Sequence, residues 1–352
     1  MKKYIHCLAT AAMALTLTLV ACGGGGNNNG GGSGGDVYVA VYESIGGSSD
    51  ENMRAVVWKN GVRQVLSNIV AGACSVSVSG NDVYVAGDEY PTSPYWLDYA
   101  RPVVWKNGVR QQLSDSGFAR SVFVSGNDVY VAGEEFRSGG YDIRAVVWKN
   151  GVRQQLSGND SVARSVFVSG GDVYIAGYEH SSANYGSARA VVWKNGVRQQ
   201  LGDNVSEAYS VFVSGGDVYI AGTERTEDYV RKAVVWKNGA RQQLSDNVSE
   251  VYSVFVSGND VYVAGCEYSN YDNARAVLWK NGVRRQLGDN VSEAYSVSVS
   301  GDDVYVAGVE GSGYGGNYGD DLLNPRAVVW RNGARQQLSD NESWARSVFI
   351  VK

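Results

Sequence analysis

A tetrapeptide recurs seven times along the chain, and its spacing restricts the folds that are possible. It is Trp-Lys-Asn-Gly in six copies and Trp-Arg-Asn-Gly in the last, with tryptophans at Trp58, Trp105, Trp148, Trp193, Trp236, Trp279 and Trp330. Consecutive tryptophans are 47, 43, 45, 43, 43 and 51 residues apart. A period of this length is typical of propeller and solenoid proteins. We therefore expect seven copies of one small structural unit.

One copy, residues 121–157, predicts four short antiparallel strands. The apolar and β-branched segments 121–124, 129–132, 144–148 and 152–156 are separated by turn residues. Asn150-Gly151 favours a type I′ hairpin before the fourth strand, because both central residues of that turn need positive φ. The fourth strand contains Arg and Gln, which is typical of an exposed edge. Four antiparallel strands per repeat form one blade of a β-propeller.

The two ends of the chain indicate how the ring closes. The first repeat begins at its second strand, Val37–Ala40, and its missing first strand is present at the other end as Ser347–Val351. A solenoid would instead need polar caps at its ends. The sequence therefore predicts an all-β fold over residues 36–352, a seven-bladed β-propeller of four-stranded antiparallel blades. The C-terminal strand is expected to join the N-terminal blade.

Residues 1–21 have the pattern of a signal peptide. Lys2 and Lys3 precede an apolar stretch that is too short to span a membrane comfortably. The stretch ends in Leu19-Val20-Ala21-Cys22, which resembles the bacterial lipobox. This resemblance implies cleavage before Cys22 and fatty acylation of that cysteine, with palmitate as an expected chain. The alternative is an ordinary secretory signal in which Cys22 is incidental.

Residues 22–35 consist mainly of Gly and Asn and are expected to form a flexible tether. The lipoprotein resemblance implies an outer-membrane location, because Gly23 rather than Asp follows the cysteine. The lipid would then be the protein's attachment to the membrane. The repeats also resemble bacterial lipoprotein β-propellers, and Gly170–Gly177 followed by Trp193 is similar to kelch repeats. Kelch repeats have a double glycine after the second strand, where this chain has Gly133-Glu134-Glu135.

Composition excludes several classes of function. The net charge is −5, and it becomes −7 without residues 1–21, which contain two lysines and no acid; nucleic-acid binders usually have a basic surface. His180 is the one histidine beyond residue 21, so neither a Ser–His–acid triad nor a multi-histidine zinc site is expected. We expect no cofactor and no metal. Cys74 and Cys266 lie in different repeats and are expected to be free thiols in a monomeric protein.

Each repeat has an acid at the end of its second strand and a base at the start of its third. Residues that face each other across antiparallel strands interact, so we expect structural ion pairs. Such pairs contribute about 0–1 kcal/mol at a partly exposed rim. The alternative is a ring of carboxylates for cation binding or catalysis. The clearest predicted pairs are Glu89–Arg101, Glu135–Arg144 and Glu179–Arg189.

The long loops between second and third strands differ in length and are rich in Tyr, Ser, Gly and Asn. This composition resembles antibody paratopes, in which Tyr supplies rigid contact area and small polar residues adapt. Candidate ligand-binding residues in the loop of the second repeat are Tyr90, Tyr95, Trp96 and Tyr99. The alternative is that these loops vary because nothing constrains them.

A second candidate patch lies nearer the propeller axis. The residue before each predicted first strand is Cys74 in one repeat and Arg or Tyr in the other six. First strands line the channel of a propeller, so these side chains are expected to surround its mouth. They could bind an anionic or sugar-like ligand, or close the mouth by stacking on one another. The Arg and Tyr residues are Arg120, Arg164, Tyr209, Tyr252, Tyr295 and Arg346.

The sequence thus favours a lipid-anchored propeller of the cell envelope that binds a protein or glycan through its long-loop face. A first alternative is an envelope hydrolase or lyase that uses loop carboxylates near the channel mouth, such as Glu134 with Glu135 or Asp320 with Asp321. A second alternative is a structural or assembly module. No catalytic residue is assigned, because fold alone does not define an activity.

Overall fold

The computed structural model describes residues 35–46, 52–91, 100–137, 142–180, 188–269, 273–315 and 321–351. These residues form seven four-stranded antiparallel sheets, the blades of a closed β-propeller, which confirms the predicted fold class. The described segments include no helix that is long and apolar enough to cross a membrane. The predicted signal peptide, Cys22 and all but the last residue of the predicted tether lie outside the described residues.

Every blade has the same strand order from the channel outward, and we number the blades from the N-terminus. The innermost strands of blades 1 to 7 are β30 (Ser343–Val351), β4 (Val70–Ser79), β8 (Gly117–Ser125), β12 (Ser161–Ser169), β16 (Ser206–Ser214), β20 (Val248–Ser257) and β24 (Val291–Ser300). The second strands are β1 (Asp36–Ser44), β5 (Asp82–Tyr90), β9 (Asp128–Arg137), β13 (Asp172–His180), β17 (Asp217–Arg225), β21 (Asp260–Tyr268) and β25 (Asp303–Gly311).

The two outer strands of each blade complete the sheet. The third strands are β2 (Met53–Lys59), β6 (Arg101–Lys106), β10 (Asp142–Lys149), β14 (Ala188–Lys194), β18 (Arg231–Lys237), β22 (Ala274–Lys280) and β28 (Arg326–Arg331). The fourth strands are β3 (Val62–Val65), β7 (Val109–Gln112), β11 (Val152–Gln155), β15 (Val197–Gln200), β19 (Ala240–Gln243), β23 (Val283–Gln286) and β29 (Ala334–Gln337). A two-stranded hairpin of β26 (Gly313–Gly315) and β27 (Asp321–Leu323) extends the loop of blade 7.

The ring closes through β30, which pairs antiparallel with β1 as the sequence predicted. Neighbouring innermost strands are joined by a further hydrogen bond, in which a valine amide of one blade donates to a serine hydroxyl of the preceding blade. This bond occurs at all seven junctions, at 3.1–3.3 Å. The wall of the channel is therefore continuous around the ring.

Apolar cores lie between neighbouring blades, and each is centred on the tryptophan of a third strand. Trp236, for example, has no exposed surface and packs in one cluster with Val192 of blade 4 and Val211 of blade 5. The glycine of the second strand leaves room for this ring and for the adjacent backbone. A Cβ at Gly133 would lie 1.9 Å from the carbonyl oxygen of Phe118 and 3.1 Å from the Trp148 ring.

The aspartate that begins each second strand joins the two tight turns of its blade. In blade 3, Asn150 Nδ2 donates to Asp128 Oδ1 at 2.7 Å, and Lys149 Nζ lies 2.7 Å from Asp128 Oδ2. The lysine lowers the pKa of Asp128 from its usual value. Asn150 has φ 52°, as the predicted Asn-Gly hairpin requires, and its Oδ1 accepts from the amide of Val129 at 2.8 Å. The aspartate thus connects its own turn to the neighbouring Asn-Gly turn.

The acids at the ends of the second strands pair with a different base from the one predicted. The register does place Glu89, Glu135 and Glu179 opposite the predicted third-strand arginines. The ion pairs in the structure, however, join these acids to fourth-strand arginines. The predictions Glu89–Arg101, Glu135–Arg144 and Glu179–Arg189 are therefore corrected to Glu89–Arg110, Glu135–Arg153 and Glu179–Arg198, each at 2.5 Å.

The acids pair with fourth-strand arginines because the arginine side chain is long enough to extend across the third strand. The side chain of Arg110 extends inward from the edge strand across the third strand and places its guanidinium on the buried Glu89. The other oxygen of Glu89 accepts from the hydroxyl of Ser67, in the link from the preceding blade, at 3.0 Å. Several third-strand arginines bond to carbonyl oxygens at the rim instead, as Arg189 does to Ala188 at 3.1 Å. Arg144 also forms an ion pair with Asp142 at 2.5 Å.

Candidate functional site

Each innermost strand contains a β-bulge, and the bulged residue is the one that the sequence placed at the channel mouth. In blade 3 the register passes from Ala119 opposite Gly133 to Ser121 opposite Ala132, which leaves Arg120 without a partner on β9. Bulges redirect a side chain and disrupt the ladder locally. The equivalent residues of the other blades are Arg346, Cys74, Arg164, Tyr209, Tyr252 and Tyr295.

The prediction that these residues precede the first strands was wrong. Strand β8 begins at Gly117, three residues before Arg120, and the other innermost strands likewise begin before their bulged residue. The second strand also continues further than predicted, to Arg137 in blade 3, and Asp142 of β10 pairs with it. The bulge interrupts the alternation of apolar and polar residues, so the sequence pattern showed only the half of the strand beyond it.

All seven bulged residues line one cavity of about 950 Å³. Phe136 and Ile143, on either side of the long loop of blade 3, are also in its wall, so the cavity lies on the long-loop side. Tyr90, a predicted loop-site residue, lines the same cavity. The other loop candidates, Tyr95, Trp96 and Tyr99, lie outside the described residues. Ligand pockets typically enclose about 300–1,000 Å³, so this cavity is large enough for a ligand.

Blades 5 to 7 form an aromatic wall backed by carboxylates. The ring centroids of Tyr209 and Tyr252 are 5.8 Å apart, and those of Tyr252 and Tyr295 are 5.5 Å apart. The Tyr209 hydroxyl donates to Glu207 at 2.6 Å, and the Tyr252 hydroxyl donates to Glu250 at 2.7 Å. Burial raises the pKa of all three tyrosines, so they remain neutral hydrogen-bond donors.

Blades 1, 3 and 4 contribute arginines to the rest of the wall. Arg120 donates from Nε and Nη2 to Glu134 Oε1, at 3.0 and 2.5 Å, and this ion pair neutralises its charge. Arg164 Nη2 donates to the Tyr178 hydroxyl at 3.2 Å, and its guanidinium lies 5.5 Å from the centroid of that ring. Cation–π contacts of this kind hold the guanidinium plane over the ring.

The arginine of blade 1 has a similar aromatic support. The Arg346 guanidinium lies 4.5 Å from the ring centroid of Tyr295. Among the described residues, neither Arg346 nor Arg164 lies within ion-pair distance of a carboxylate. Both guanidinium groups therefore lie against tyrosine rings and make no direct ion pair with a described residue.

The buried Asp88 and the half-buried Cys74 form a pair in the wall at blade 2. Asp88 Oδ1 accepts from the amide of Ala119 at 2.7 Å, and the Cys74 thiol lies 3.7 Å from Asp88 Oδ2. Burial raises the pKa of Asp88 to about 7 and, with Asp88 nearby, raises the pKa of Cys74 to about 12. Asp88 therefore changes charge near neutral pH, whereas the thiol stays protonated. Cys74 and Cys266 are both free, as predicted.

The sequence analysis missed several residues that line this cavity. Asp88 and Tyr178 directly follow the glycine of the second strand, and Glu293 lies two residues before the bulge. The residue after this glycine and the residue two before the bulge both vary among the repeats, whereas the residues around them are nearly constant. That variation was a signal available in the sequence. No group of three or more His, Cys, Asp or Glu side chains in the described part of the chain is placed to hold a metal ion.

Comparisons with known proteins bear on the fold alone. No family profile and no curated relative matches the sequence. Among solved structures, the chain resembles Pyrococcus horikoshii acylaminoacyl peptidase with a TM-score of 0.52 and 13% identity over 86% of this chain and 50% of that one. The chain thus spans half the length of that peptidase.

A second similar structure is the β-propeller domain of the Trilobed protease from Pyrococcus furiosus, which has an open velcro topology. Its TM-score is 0.53 at 12% identity, over 87% of this chain and 92% of that one. At such identities the likeness concerns the fold alone. The chain is therefore a seven-bladed β-propeller, and here β30 closes the first blade by pairing with β1.

Proposed function

We propose that the protein is a ligand-binding propeller of the bacterial cell envelope, which binds a protein or a glycan at its long-loop face. The observation that supports this most directly is the central cavity. Seven equivalent backbone positions present Arg, Tyr or Cys side chains to one space, whereas the supporting frame is nearly identical in every blade. A purely structural propeller would not require different side chains at these seven equivalent positions.

The support of these side chains also suits binding. They project from bulged strands that pair on both sides of the bulge, so their positions are fixed by the sheet rather than by a loop. The cavity combines aromatic surface with a small number of polar groups, which is typical of ligand sites. Tyr90, at the start of the second blade's long loop, lies in the same wall. We include Tyr95, Trp96 and Tyr99 of that loop in the proposed site.

The proposed location rests on the lipobox-like segment that ends in Cys22. We expect the protein to be held at the outer membrane by lipid on this cysteine. A Cys22→Ser variant should fail to incorporate a palmitate analogue and should leave the membrane fraction. Incorporation at the wild-type level would contradict lipid attachment at Cys22.

The binding function is tested with protein expressed from its full sequence. The protein is applied to an array of envelope glycans and used to capture envelope proteins. Tyr90→Ala and the pair Trp96→Ala, Tyr99→Ala should weaken binding of the ligand found. Val152→Ser is the control, because Val152 is 72% exposed on the tight-turn face. A ligand that binds every variant equally would contradict the assignment to the long-loop face, and absence of any ligand for folded protein would contradict the binding function.

An envelope hydrolase or lyase is the second candidate, and one observation favours it. Asp88, with a pKa of about 7, and Glu134, which is paired with Arg120, line the same cavity. Two carboxyl groups in one site, one of them with a raised pKa, are the groups that glycosidases use for acid and base steps. Turnover of a glycan panel that is lost in both Asp88→Asn and Glu134→Gln would support this candidate. Absence of turnover by the wild type would exclude it for that panel.

A further inference from the structure

We propose that the central cavity binds an acidic glycan with two or more uronic-acid units, and that Arg164 and Arg346 hold carboxylate groups of this glycan. This inference rests on the proposed binding function and specifies its ligand. It is based on the unpaired guanidinium groups, the hydrogen-bond acceptors beside them and the aromatic wall that they share.

The first observation is a contrast with the charges of the frame. In every blade the fourth-strand arginine pairs with the glutamate of the second strand, and the last residue of the third strand pairs with the aspartate of the second. Arg120 in the cavity is also paired, with Glu134. Arg164 and Arg346 have no ion pair in the described part of the chain. They give the cavity positive charge that a ligand can neutralise.

The second observation concerns the donors of Arg164. Its Nε is buried and has no hydrogen-bond partner among the described residues, while its Nη2 donates to Tyr178. Buried polar groups are nearly always hydrogen-bonded in folded proteins. The Arg164 guanidinium lies 5.5 and 5.8 Å from the ring centroids of Tyr178 and Tyr209, in the wall of the cavity. Arginine edges match carboxylates in a bidentate geometry.

The third observation is that the same cavity contains acceptors. Glu134 is 2% exposed, and its Oε2 has no hydrogen-bond partner among the described residues, although its Oε1 is bound to Arg120. Glu293, which accepts from the Tyr314 hydroxyl at 3.3 Å, is also in the wall. A ligand that satisfies both arginines and carboxylates must combine an anionic group with hydrogen-bond donors. A uronic acid has both, whereas a fatty acid lacks the donors and a neutral sugar lacks the charge.

The aromatic wall fits the remaining surface of such a ligand. The faces of a sugar ring that present C–H groups are apolar and pack on aromatic side chains. Tyr209, Tyr252 and Tyr295 form a continuous series of rings beside Arg164 and Arg346. Their hydroxyls are already engaged, at least for Tyr209 with Glu207 and Tyr252 with Glu250. The rings therefore offer contact area more than free hydrogen-bonding groups.

The acids in the wall do not oppose an anionic ligand strongly. The charge of Glu134 is cancelled by Arg120. Burial raises the pKa of Asp88 to about 7 and raises the pKa of Glu293 above its usual value, so both are less charged than exposed carboxyls. The two unpaired guanidinium groups keep their full charge. The cavity thus favours anions although the whole chain has a net charge of −5.

The test is isothermal titration calorimetry of full-sequence protein with defined oligosaccharides. The probes are trigalacturonate, trimannuronate and a hyaluronan tetrasaccharide, each beside its carboxyl-methylated form, with cellotriose and chitotriose as neutral probes. We expect at least one acidic probe to bind, and its methylated form to bind at least about tenfold more weakly, since a charge-assisted hydrogen bond is lost. Equal binding of the methylated form, or binding of neutral probes alone, would overturn the acidic ligand and leave the binding function intact. If no oligosaccharide probe binds but an envelope protein is captured in the earlier assay, the sugar ligand would be contradicted and the proposed binding function would stand.

Substitutions assign the binding to the two arginines. Arg164→Gln and Arg346→Gln should each weaken binding of the acidic probe about tenfold or more and leave the melting temperature nearly unchanged. Arg164→Tyr and Arg346→Tyr provide a second test, because blades 5 to 7 have tyrosine at this position and the bulge accommodates it. Unchanged affinity in these four variants would overturn the proposal.

Arg285→Gln is the matched control. Arg285 lies on a fourth strand, where it donates to the carbonyl oxygen of Asn332 in a tight turn at 2.9 Å. The other six blades have glutamine at this position, so the substitution restores the residue of the repeat. It removes one positive charge from the molecule without altering the cavity. An equal loss of affinity in this variant would show a general effect of charge and would overturn the role of the two cavity arginines.

Discussion

The amide of Val76 donates a hydrogen bond of 3.3 Å to the hydroxyl of Ser347, although 271 residues separate the two in sequence. The bond joins blade 2 to the C-terminal strand of blade 1. It is equivalent to six others between neighbouring innermost strands. The junction at which the two ends of the chain meet is therefore built like every other junction.

We expect Ser347→Ala to lower the free energy of unfolding by about 0.5–1.5 kcal/mol, because the Val76 amide loses its acceptor in a partly buried position. Chemical denaturation monitored by tryptophan fluorescence measures the change. Ser75→Ala is the matched control, since its hydroxyl accepts from Val122 at 3.1 Å within the continuous part of the ring. A neutral Ser347→Ala beside a destabilising Ser75→Ala would mean that the closing junction is not equivalent to the others.

The corrected ion pairs predict unequal effects of two arginines in blade 2. Arg110→Ala should destabilise the fold by about 1–3 kcal/mol, because it leaves the buried Glu89 without the cation that balances it. Arg101→Ala should cost less, about 0–1 kcal/mol, since the ion pair of Glu89 remains. Thermal and chemical unfolding of both variants would decide between the pairings. A larger effect of Arg101→Ala would restore the pairing inferred from the sequence.

Asp88 predicts a pH dependence of stability. Its pKa is about 7 in the folded protein, above the value of about 3.9 for an exposed aspartate, so the folded state binds the proton more tightly than the unfolded state. Stability relative to Asp88→Asn should therefore fall as pH rises from about 4 to 7 and remain constant above that range. Unfolding free energies of both proteins at a series of pH values measure this difference. A difference that is independent of pH would mean that Asp88 has an ordinary pKa.

Gly133 predicts a strong steric effect. A Cβ at this position would meet the carbonyl oxygen of Phe118 at 1.9 Å and the Trp148 ring at 3.1 Å. Gly133→Ala should destabilise the fold by about 1–3 kcal/mol or more, because backbone and tryptophan must both shift. Gly158→Ala is the control, since no atom would lie within 4 Å of its Cβ, and its effect should stay within about 0.5 kcal/mol. Equal melting temperatures of the two variants would contradict the tight packing of the second strand.

The fold was predictable because local and global patterns agree. An Asn-Gly dipeptide, such as Asn150-Gly151, defines a hairpin in each copy. The number of tryptophan repeats defines the number of blades. The closing strand followed from counting: a first strand is missing before Val37 and an extra one follows Arg346. These features depend on backbone geometry that each repeat specifies by itself.

The details of the site were less predictable because they depend on contacts between strands. Nothing in the order of residues distinguishes Arg110 from Arg101 as the partner of Glu89, since the choice depends on side-chain reach across a third strand. The bulge at Arg120 also has no local sequence signature, because it arises from the pairing of two strands. The grouping of the seven bulged residues around one mouth was nevertheless expected from the repeat, and the structure places all of them in one cavity.

The position of β30 determines the order in which the protein can fold. Blades 2 to 7 are each continuous in sequence and can form as soon as they have been synthesised, whereas blade 1 needs residues 343–351 beside β1. Until then, β1 keeps an unpaired edge and the apolar cluster around Val41 and Val348 is incomplete. Unpaired strand edges promote aggregation. The chain therefore depends on β30 to cover the edge of β1, and a product truncated before residue 343 would have an open first blade.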